Sequence, residues 1–495
     1  MSRWLVSATH RSSGKTTLSI GLCAALRRRG VTVQPFKKGP DYIDPMWLTL
    51  AAGRACRNLD PHLSGWDELE ASFLRHAAAA DASLVEGNLG LHDGMAVDGS
   101  DSNAALACRL ELPVVLVLDA RGTARGLAPL VLGYQAFEPR LRIAGVVLNR
   151  VGGSRHETRL REALERYTDV PVLGVIGENP RLAIVERHLG LMPSNESGAA
   201  EQLVATIADT IAECVDLDAL LAAVGPRRGE AAQAHDTAAS GIVPAAAQPG
   251  ATLASTRNAA APLRIGVAHD EAFGFYYADD LEALQAAGAE LVSVDALRDT
   301  TLPELDGLFI GGGFPEALAA RLAGNVALRH ALRERIDAGL PVYAECGGLM
   351  YLARSITWRG ERHEMVGAIP ADVTMRDRAV GRGYVTLQET GDFPWPGGPL
   401  AMVRGHEFHH SSLENAAPGL RYAYRVLRGH GIDGARDGIV HRNVLASYAH
   451  LRSVGGNRWP ERFVEFVRSV AQQRRGAASC TPGRGAESSL AECSR

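Results

Sequence analysis

Two α/β domains are predicted for this chain, the first built on a doubly wound parallel sheet. Three observations predict them: a length of 495 residues, short aliphatic runs alternating with amphipathic stretches in each half, and an intervening segment too poor in large apolar residues to pack. A chain this long exceeds one ordinary hydrophobic core, at about 100–200 residues per domain. In the first half "WLVSA", "SLVEG", "PVVLVLDA", "IAGVVLN" and "PVLGVI" read as buried parallel strands, with helical segments such as "TTLSIGLCAALRRRG" and "RHETRLREALERY" between them. This domain is expected over residues 1–224. Residues 225–262, rich in Ala, Gly, Pro and Ser, form the expected linker. The alternation resumes with "LRIGVAHD", "AELVSVDA", "GLFIGGG" and "LPVYAECGG" and closes on "NVLASYAHLR", giving a second domain over 263–474. The small, polar residues 475–495 read as a disordered tail.

Composition narrows the function. A net charge of −4 from 52 basic and 56 acidic side chains leaves no basic stripe for nucleic acid or an anionic membrane, so small-molecule partners are expected. No window approaches the ~18 unbroken apolar residues of a membrane span. Seven scattered cysteines form no CxxC pair or disulfide-like spacing, and the N-terminal "MSRWLVSATH" lacks the character of a signal peptide. A cytoplasmic protein is therefore expected.

The first strand runs into "SATHRSSGKTTLSIGL", where Gly14, Lys15, Thr16 and Thr17 end a P-loop pattern and open a helix. Amides at a helix N-terminus face phosphates, Lys15 supplies a point charge and Thr16 a hydroxyl for Mg²⁺. The pattern wants Gly where Thr9 stands, and Ser12 and Ser13 fill positions often held by glycine. A solvated Ser/Gly turn is the bland alternative, and the flanking strand and helix weigh against it. "LVEGNLGLHDG" ends a strand with Glu86 and places Asp93 in a Gly-rich loop; both suit Mg²⁺, and both equally suit a loop or a helix cap. "QPFKKGPDYIDPMW" gathers Lys37, Asp41 and Asp44 at the carboxyl end of a strand, where α/β domains bind ligands. Lys37 there suits a substrate carboxylate or a transferring phosphoryl group, Asp41 or Asp44 a metal; a solvated charged turn is the alternative.

In the second half "LPVYAECGGLMYLA" reads as a buried strand, a tight turn carrying Cys346, and an apolar helix. A thiol at a helix N-terminus is activated by the dipole and the free amides, and Gly347 permits the sharp turn. "LFIGGGFPE", with Gly312 and Gly313, offers further amide donors for an oxyanion. The expected base is His450, at the end of the last strand, with His406, His409 and His410 of "RGHEFHHSS" as competitors. An ordinary buried thiol is the alternative for Cys346.

With these motifs assembled, the chain resembles the cobyrinic acid a,c-diamide synthase family, glutamine-dependent amidase-ligases of corrinoid biosynthesis. The resemblance rests on "SSGKTT", "FKKGPDYIDP", "CRNLDPHL", "VEGNLGLHDG", "IAGVVLNRVGGSRHE", "DEAFGFYYADDLEALQAAGAEL", "FIGGGFPE", "AECGGLMYL", "RGHEFHHS" and "ASYAHLR", nearly the whole chain outside the linker and tail. It implies a class I glutamine amidotransferase-like second domain, and ATP with Mg²⁺ converting a side-chain carboxylate of the macrocycle to an acyl phosphate. Ammonia released from glutamine then displaces phosphate at two carboxylates. By resemblance Cys346 is the glutaminase nucleophile, His450 its activator, and Ser13, Gly14, Lys15, Thr16, Thr17, Lys37 and Asp41 surround the nucleotide. Thr16, Glu86 and Asp93 fall to the metal, and Gly312, Gly313 and Gly347 to the oxyanion or glutamine.

Two departures stand out. Many such amidotransferases continue the histidine strand as His-x-Glu, but Leu451 and Arg452 follow His450, so no third member is assigned. Lys38 stands where the corrinoid enzymes more often carry an apolar residue, and "EGNLGLHDGMAVDGSDSNAA" resembles a branch that amidates sirohaem. The same reaction on sirohaem or nickel sirohydrochlorin is thus the nearest rival. A ParA/MinD-like ATPase switch and a standalone glutaminase are the rivals of other classes, and a homodimer stays open.

Overall fold

The computed structural model describes residues 1–187, 190–196, 198–225, 262–397 and 402–479. The expected linker therefore lies, apart from its end residues, outside the described residues, as do residues 480–495.

The first half carries a seven-stranded, all-parallel sheet of β1 (Ser2–Ala8), β2 (Val33–Lys38), β3 (Arg57–Leu59), β4 (Ala82–Glu86), β5 (Val114–Asp119), β6 (Ile143–Val151) and β7 (Val172–Gly177), in the order β3-β2-β4-β1-β5-β6-β7. Side chains on a strand alternate between its faces. Trp4 and Val6 accordingly join one apolar layer with Leu22, Ile207 and Ile211, while Leu5 joins the other with Phe36, Val85, Leu116 and Leu160. Burial on both faces explains why these strands read as unbroken aliphatic runs. Helix α1 (Lys15–Arg28) follows β1 directly and α2 (Ile43–Ala52) follows β2, so both begin at the carboxyl edge of the sheet.

The second half is a mixed ten-stranded sheet. Ala289–Val294, Leu263–Ala268, Gly307–Ile310, Val342–Glu345 and Val444–Ser447 are parallel neighbours in that order. An antiparallel extension continues through Arg436–His441, Arg421–Arg428, Gly381–Glu389, Val403–His409 and His450–Leu451. The α/β expectation holds in both halves, and the antiparallel part is new. "NVLASYAHLR" is not one strand: the Asp437 carboxylate accepts the Tyr448 and Ala449 amides at 3.0 Å each and draws the chain out of the ladder. His450 thereby pairs with His406 in a different strand. The last helix also corrects the expected start of the tail at 475, because it runs Trp459–Ser479. Phe463, Val467 and Ala471 hold it in the core, and Arg474 caps the carbonyl of Ala338 at 3.1 Å.

Polar contacts join the halves. Arg57 bonds Asp279 at 2.7 Å, Arg452, itself held by Asp279 within the second half at 2.9 Å, bonds the Asn58 carbonyl at 2.7 Å, and the Tyr384 hydroxyl donates to Asp60 at 2.9 Å.

In the first half, α1 is seated against the helix Ala200–Cys214 at Gly21, where an added Cβ would fall 2.2 Å from Ile211 Cγ1. Gly21→Ala is expected to destabilise by about 1–3 kcal/mol, the range for overpacking. Because the two contacts under 3.0 Å are both with Ile211, Gly21→Ala combined with Ile211→Ala is expected to cost less than the sum of the single changes, measured by thermal unfolding of all three variants.

Candidate active site

The loop leaving β1 turns through Ser12 (φ 55°) and Gly14 (φ 98°) before Lys15 opens α1. At Gly14 a side chain would be strained and would also meet Asn149 Nδ2 at 2.2 Å. Lys15 Nζ donates to the His10 carbonyl at 3.2 Å, closing the loop over itself. Burial, and then neighbouring Lys37, bring the Lys15 pKa down to about 8, so an anion in this loop would be drawn to a charge the protein alone holds weakly.

Beneath the loop lies a buried charge network. Lys37 Nζ donates to Asp44 Oδ2 at 2.5 Å and to Glu86 Oε1 at 3.0 Å, and the Thr16 hydroxyl donates to Glu86 Oε1 at 2.6 Å. Burial alone would lower the Lys37 pKa, but Asp44 and Glu86 hold it above the ordinary lysine value. Glu86 Oε2 is buried with no hydrogen-bond partner, a lone acceptor beside the Thr16 hydroxyl. Asp41 caps the start of α2, accepting the Ile43 amide at 2.9 Å and the Asp44 amide at 3.2 Å, and burial beside Asp44 pushes it up to about 7.

Gly14, Lys15, Thr16, Thr17, Lys37, Asp41 and Glu86 all line one cavity of about 810 Å³. Ser13 and Asp93 do not. The Ser13 hydroxyl is buried against the His10 carbonyl at 2.9 Å, and Asp93 caps its own loop by accepting the Gly90 amide at 3.1 Å, its charge reaching Lys15 only through space. Lys38 also lines the cavity, but donates to the Asp101 carbonyl at 2.6 Å and to Asn88 at 3.2 Å within its own half.

The same cavity ends at Cys346 and His450 in the second half. Cys346 sits at φ 47°, ψ −99°, a strained turn between the strand Val342–Glu345 and the helix Gly347–Leu352. Gly348 is obligatory, since a Cβ there would fall 2.2 Å from the Ile310 carbonyl oxygen. Gly347 faces the Gly313 amide nitrogen, 3.0 Å from where its Cβ would be. Gly313 lines the cavity, whereas Gly312 and Gly347 lie behind it, Gly312 with its would-be Cβ 2.6 Å from His450 Cε1.

Glu345, one residue before Cys346, is the group the sequence reading missed. Its buried carboxylate accepts the Tyr343 hydroxyl at 2.6 Å, the Leu451 amide at 2.9 Å, and His450 Nδ1 at 3.2 Å. With Nδ1 engaged, Nε2 is the ring nitrogen left for Cys346. Burial would lower the His450 pKa, but hydrogen bonds to Cys346 and Glu345 raise it to about 10. His406, a competitor for the role of base, stacks on His450 with ring centroids 4.9 Å apart and is held well below the ordinary histidine value by burial and by His450. His409 is buried against Tyr448, its centroid 3.8 Å away. Among the described residues no three His, Cys, Asp or Glu side chains are placed to hold a metal by themselves.

A phosphate loop and a paired thiol and imidazole opening into one cavity define the class: a two-domain enzyme joining nucleotide chemistry to glutamine-derived ammonia. Residues 4–191 match the family model described as the CobQ/CobB/MinD/ParA nucleotide binding domain, and residues 264–457 the one described as the CobB/CobQ-like glutamine amidotransferase domain. The chain is 46% identical over 467 residues to the cobyrinate a,c-diamide synthase of Magnetococcus marinus, covering 94% of this chain and 97% of that one. It is 40% identical to those of Methanosarcina acetivorans, covering 91% and 92%, and of Syntrophotalea carbinolica, covering 94% and 98%. The chain belongs to the cobyrinate a,c-diamide synthase family.

Glu345→Gln removes the charge that faces His450. The folded pKa of His450 lies above the unfolded 6.5, so its stabilising contribution is fully present below that value and is lost as pH rises through about 10. In Glu345→Gln the imidazole titration, followed by NMR of the ring carbons, is expected to move down from about 10, and the extra stability between these limits to shrink.

Proposed function

We propose that this chain amidates the a and c side-chain carboxylates of cobyrinate, or hydrogenobyrinate, with ATP and glutamine. The observation that carries the reading is the hydrogen-bonded series Glu345, His450 and Cys346 opening into the same cavity as the Lys15 loop. With its proton held by His450, Cys346 attacks the glutamine side-chain carbonyl, with the Gly313 amide beside the developing oxyanion. Ammonia leaves with the proton that His450 returns, and water cleaves the resulting thioester.

At the other end, the carboxylate of the macrocycle attacks the γ-phosphorus of ATP, releasing ADP and forming an acyl phosphate. Ammonia then attacks the acyl carbon and phosphate departs. Lys15 and the amides of Gly14 to Thr17 cradle the transferring phosphoryl group, and Lys37 fixes the orientation of Asp44 and Glu86. The unpartnered Glu86 Oε2 and the Thr16 hydroxyl fit Mg²⁺, which they would hold together with phosphate oxygens; the ion would neutralise charge on those oxygens. A nucleophilic thiol needs a reducing surrounding, which favours the cytoplasm.

Cys346→Ser is expected to abolish glutamine-dependent synthesis while sparing synthesis from free ammonia, and Lys15→Ala to reduce both by on the order of 100-fold. The macrocycle itself is tested by incubating the protein with ATP, glutamine and either cobyrinate or sirohaem. Two successive exchanges of hydroxyl for amino on cobyrinate, read by mass spectrometry, are expected. Exchange on sirohaem alone would overturn the substrate while leaving the reaction.

A further inference from the structure

Tyr42 is a side chain of the first half whose aromatic partners among the described residues all belong to the second. Its ring stacks on Phe275, with centroids 5.3 Å apart and planes 3° from parallel, and packs on Tyr277 at 4.4 Å, His406 at 5.5 Å and His450 at 5.2 Å. A residue serving only its own core would be surrounded by its own domain. Phe275 in turn pairs with Gly312, next to the Gly313 amide that faces the Cys346 turn, so the ring supports both the imidazole and the backbone opposite the thiol.

The backbone of Tyr42 belongs to the phosphate site. It precedes the first turn of α2, whose amides at Ile43 and Asp44 are both held by the Asp41 carboxylate, so the four residues Asp41 to Asp44 form one rigid turn. At its far end Asp44 accepts Lys37 at 2.5 Å and lies 3.5 Å from the Thr16 hydroxyl. A phosphate group and its cation at Lys15 and Thr16 would add charge beside Lys37 and Asp44, and the Asp41–Asp44 turn connects that point to the ring on His450. The path is a locked turn and an aromatic stack, with no mobile segment in between.

Resting on the reading above, we propose that Tyr42 is a positioning residue that couples the two half-reactions: filling the phosphate site sets His450 against Cys346, so that glutamine is cleaved at full rate only when an acceptor can be phosphorylated. Two sites, a physical connection and a difference in contacts at each end are what such coupling requires, and its usual size is about 5–150-fold. The coupling is expected to act on the turnover of glutamine rather than on its binding, because the Tyr42 ring packs directly on the base.

The test measures glutamine hydrolysis by the full chain with and without a non-hydrolysable ATP analogue, Mg²⁺ and cobyrinate, the ratio of the two rates being the readout. In the unaltered protein these additions are expected to raise the rate about fivefold or more. In Tyr42→Ala the ratio is expected to fall to about one, with the change in kcat rather than KM. Tyr42→Phe, which keeps the stack, is expected to retain it. Thermal unfolding reports whether each variant is folded; should Tyr42→Ala be unfolded, Tyr42→Leu, which keeps apolar bulk without the ring, takes its place with the same expected loss. A Tyr42→Ala ratio equal to that of the unaltered protein, or an unaltered protein that the additions do not stimulate, overturns the proposal. Glutamine use surviving in Cys346→Ser would instead overturn the functional reading beneath it, so the two failures are told apart.

Discussion

The arrangement of the second half depends on one buried carboxylate. Glu345 lies at the end of a parallel strand with almost no exposure, and burying a carboxylate costs several kcal/mol unless its oxygens are fully engaged. They are, by the Tyr343 hydroxyl, the Leu451 amide and the His450 ring. Those three partners fix what matters for the chemistry. Tyr343 comes from the strand itself, Leu451 from the segment that leaves the ladder after Ser447, and His450 from the residue just before it. Because Cys346 follows Glu345 directly, anchoring the carboxylate sets the sulfur and the imidazole relative to each other through a minimum of rotatable bonds. Asp437 complements it by holding the Tyr448 and Ala449 amides, so that the chain enters His450 along a defined path.

The phosphate end uses the same device with the sign reversed. Lys37 is the buried cation, and Asp44 and Glu86 are the groups that make its burial tolerable. The compensation is incomplete by design of charge: burial and the neighbouring Asp44 keep Asp41 up to about 7, burial brings Lys15 down to about 8, and one oxygen of Glu86 has no donor. An acid with a raised folded pKa costs stability as pH rises through its unfolded value of 3.8 towards about 7. A cation near the acids and an anion near Lys15 would each relieve part of that strain, which supports the metal and phosphate proposed for this site.

The legible parts of the chain were those where one short segment carries the whole signal. The P-loop needs only a strand, a left-handed glycine and a helix, all contiguous around Gly14, and the thiol turn needs only the residues around Cys346. Parallel strands buried on both faces announce themselves as aliphatic runs. The antiparallel extension does not, because strands such as Gly381–Glu389 and Arg421–Arg428 expose polar side chains along part of their length. Glu345 was hidden for another reason: a third member was sought after the histidine, where related amidotransferases carry His-x-Glu, while here the carboxylate precedes the nucleophile on a strand that reads as core. Its one sequence signal is a charged residue ending an apolar strand, the same signal that drew notice to Glu86. Asp93 accepts the Gly90 amide through one carboxylate oxygen and acts on Lys15 through space.

What makes two separate sites one enzyme is the surface between the halves. Ammonia is a nucleophile only while unprotonated, and in bulk water near neutral pH it is mostly ammonium. One cavity reaches both ends, and Phe275, Phe314, Met350 and Tyr42 form an apolar part of a wall that elsewhere carries carboxylates and imidazoles. Its continuity requires the halves to keep their register, and polar contacts across the interface serve that: Arg57 pairs with Asp279, Arg452 holds the Asn58 carbonyl, and Tyr384 reaches Asp60. Arg452 stands two residues after His450, and Asn58, whose carbonyl it holds, is bonded through its side chain to the carbonyls of Gly39 and Asp41. The same few bonds that dock the domains therefore also brace the turn next to the phosphate site and the strand next to the imidazole, so a loosened interface would disturb both chemistries before it separated them.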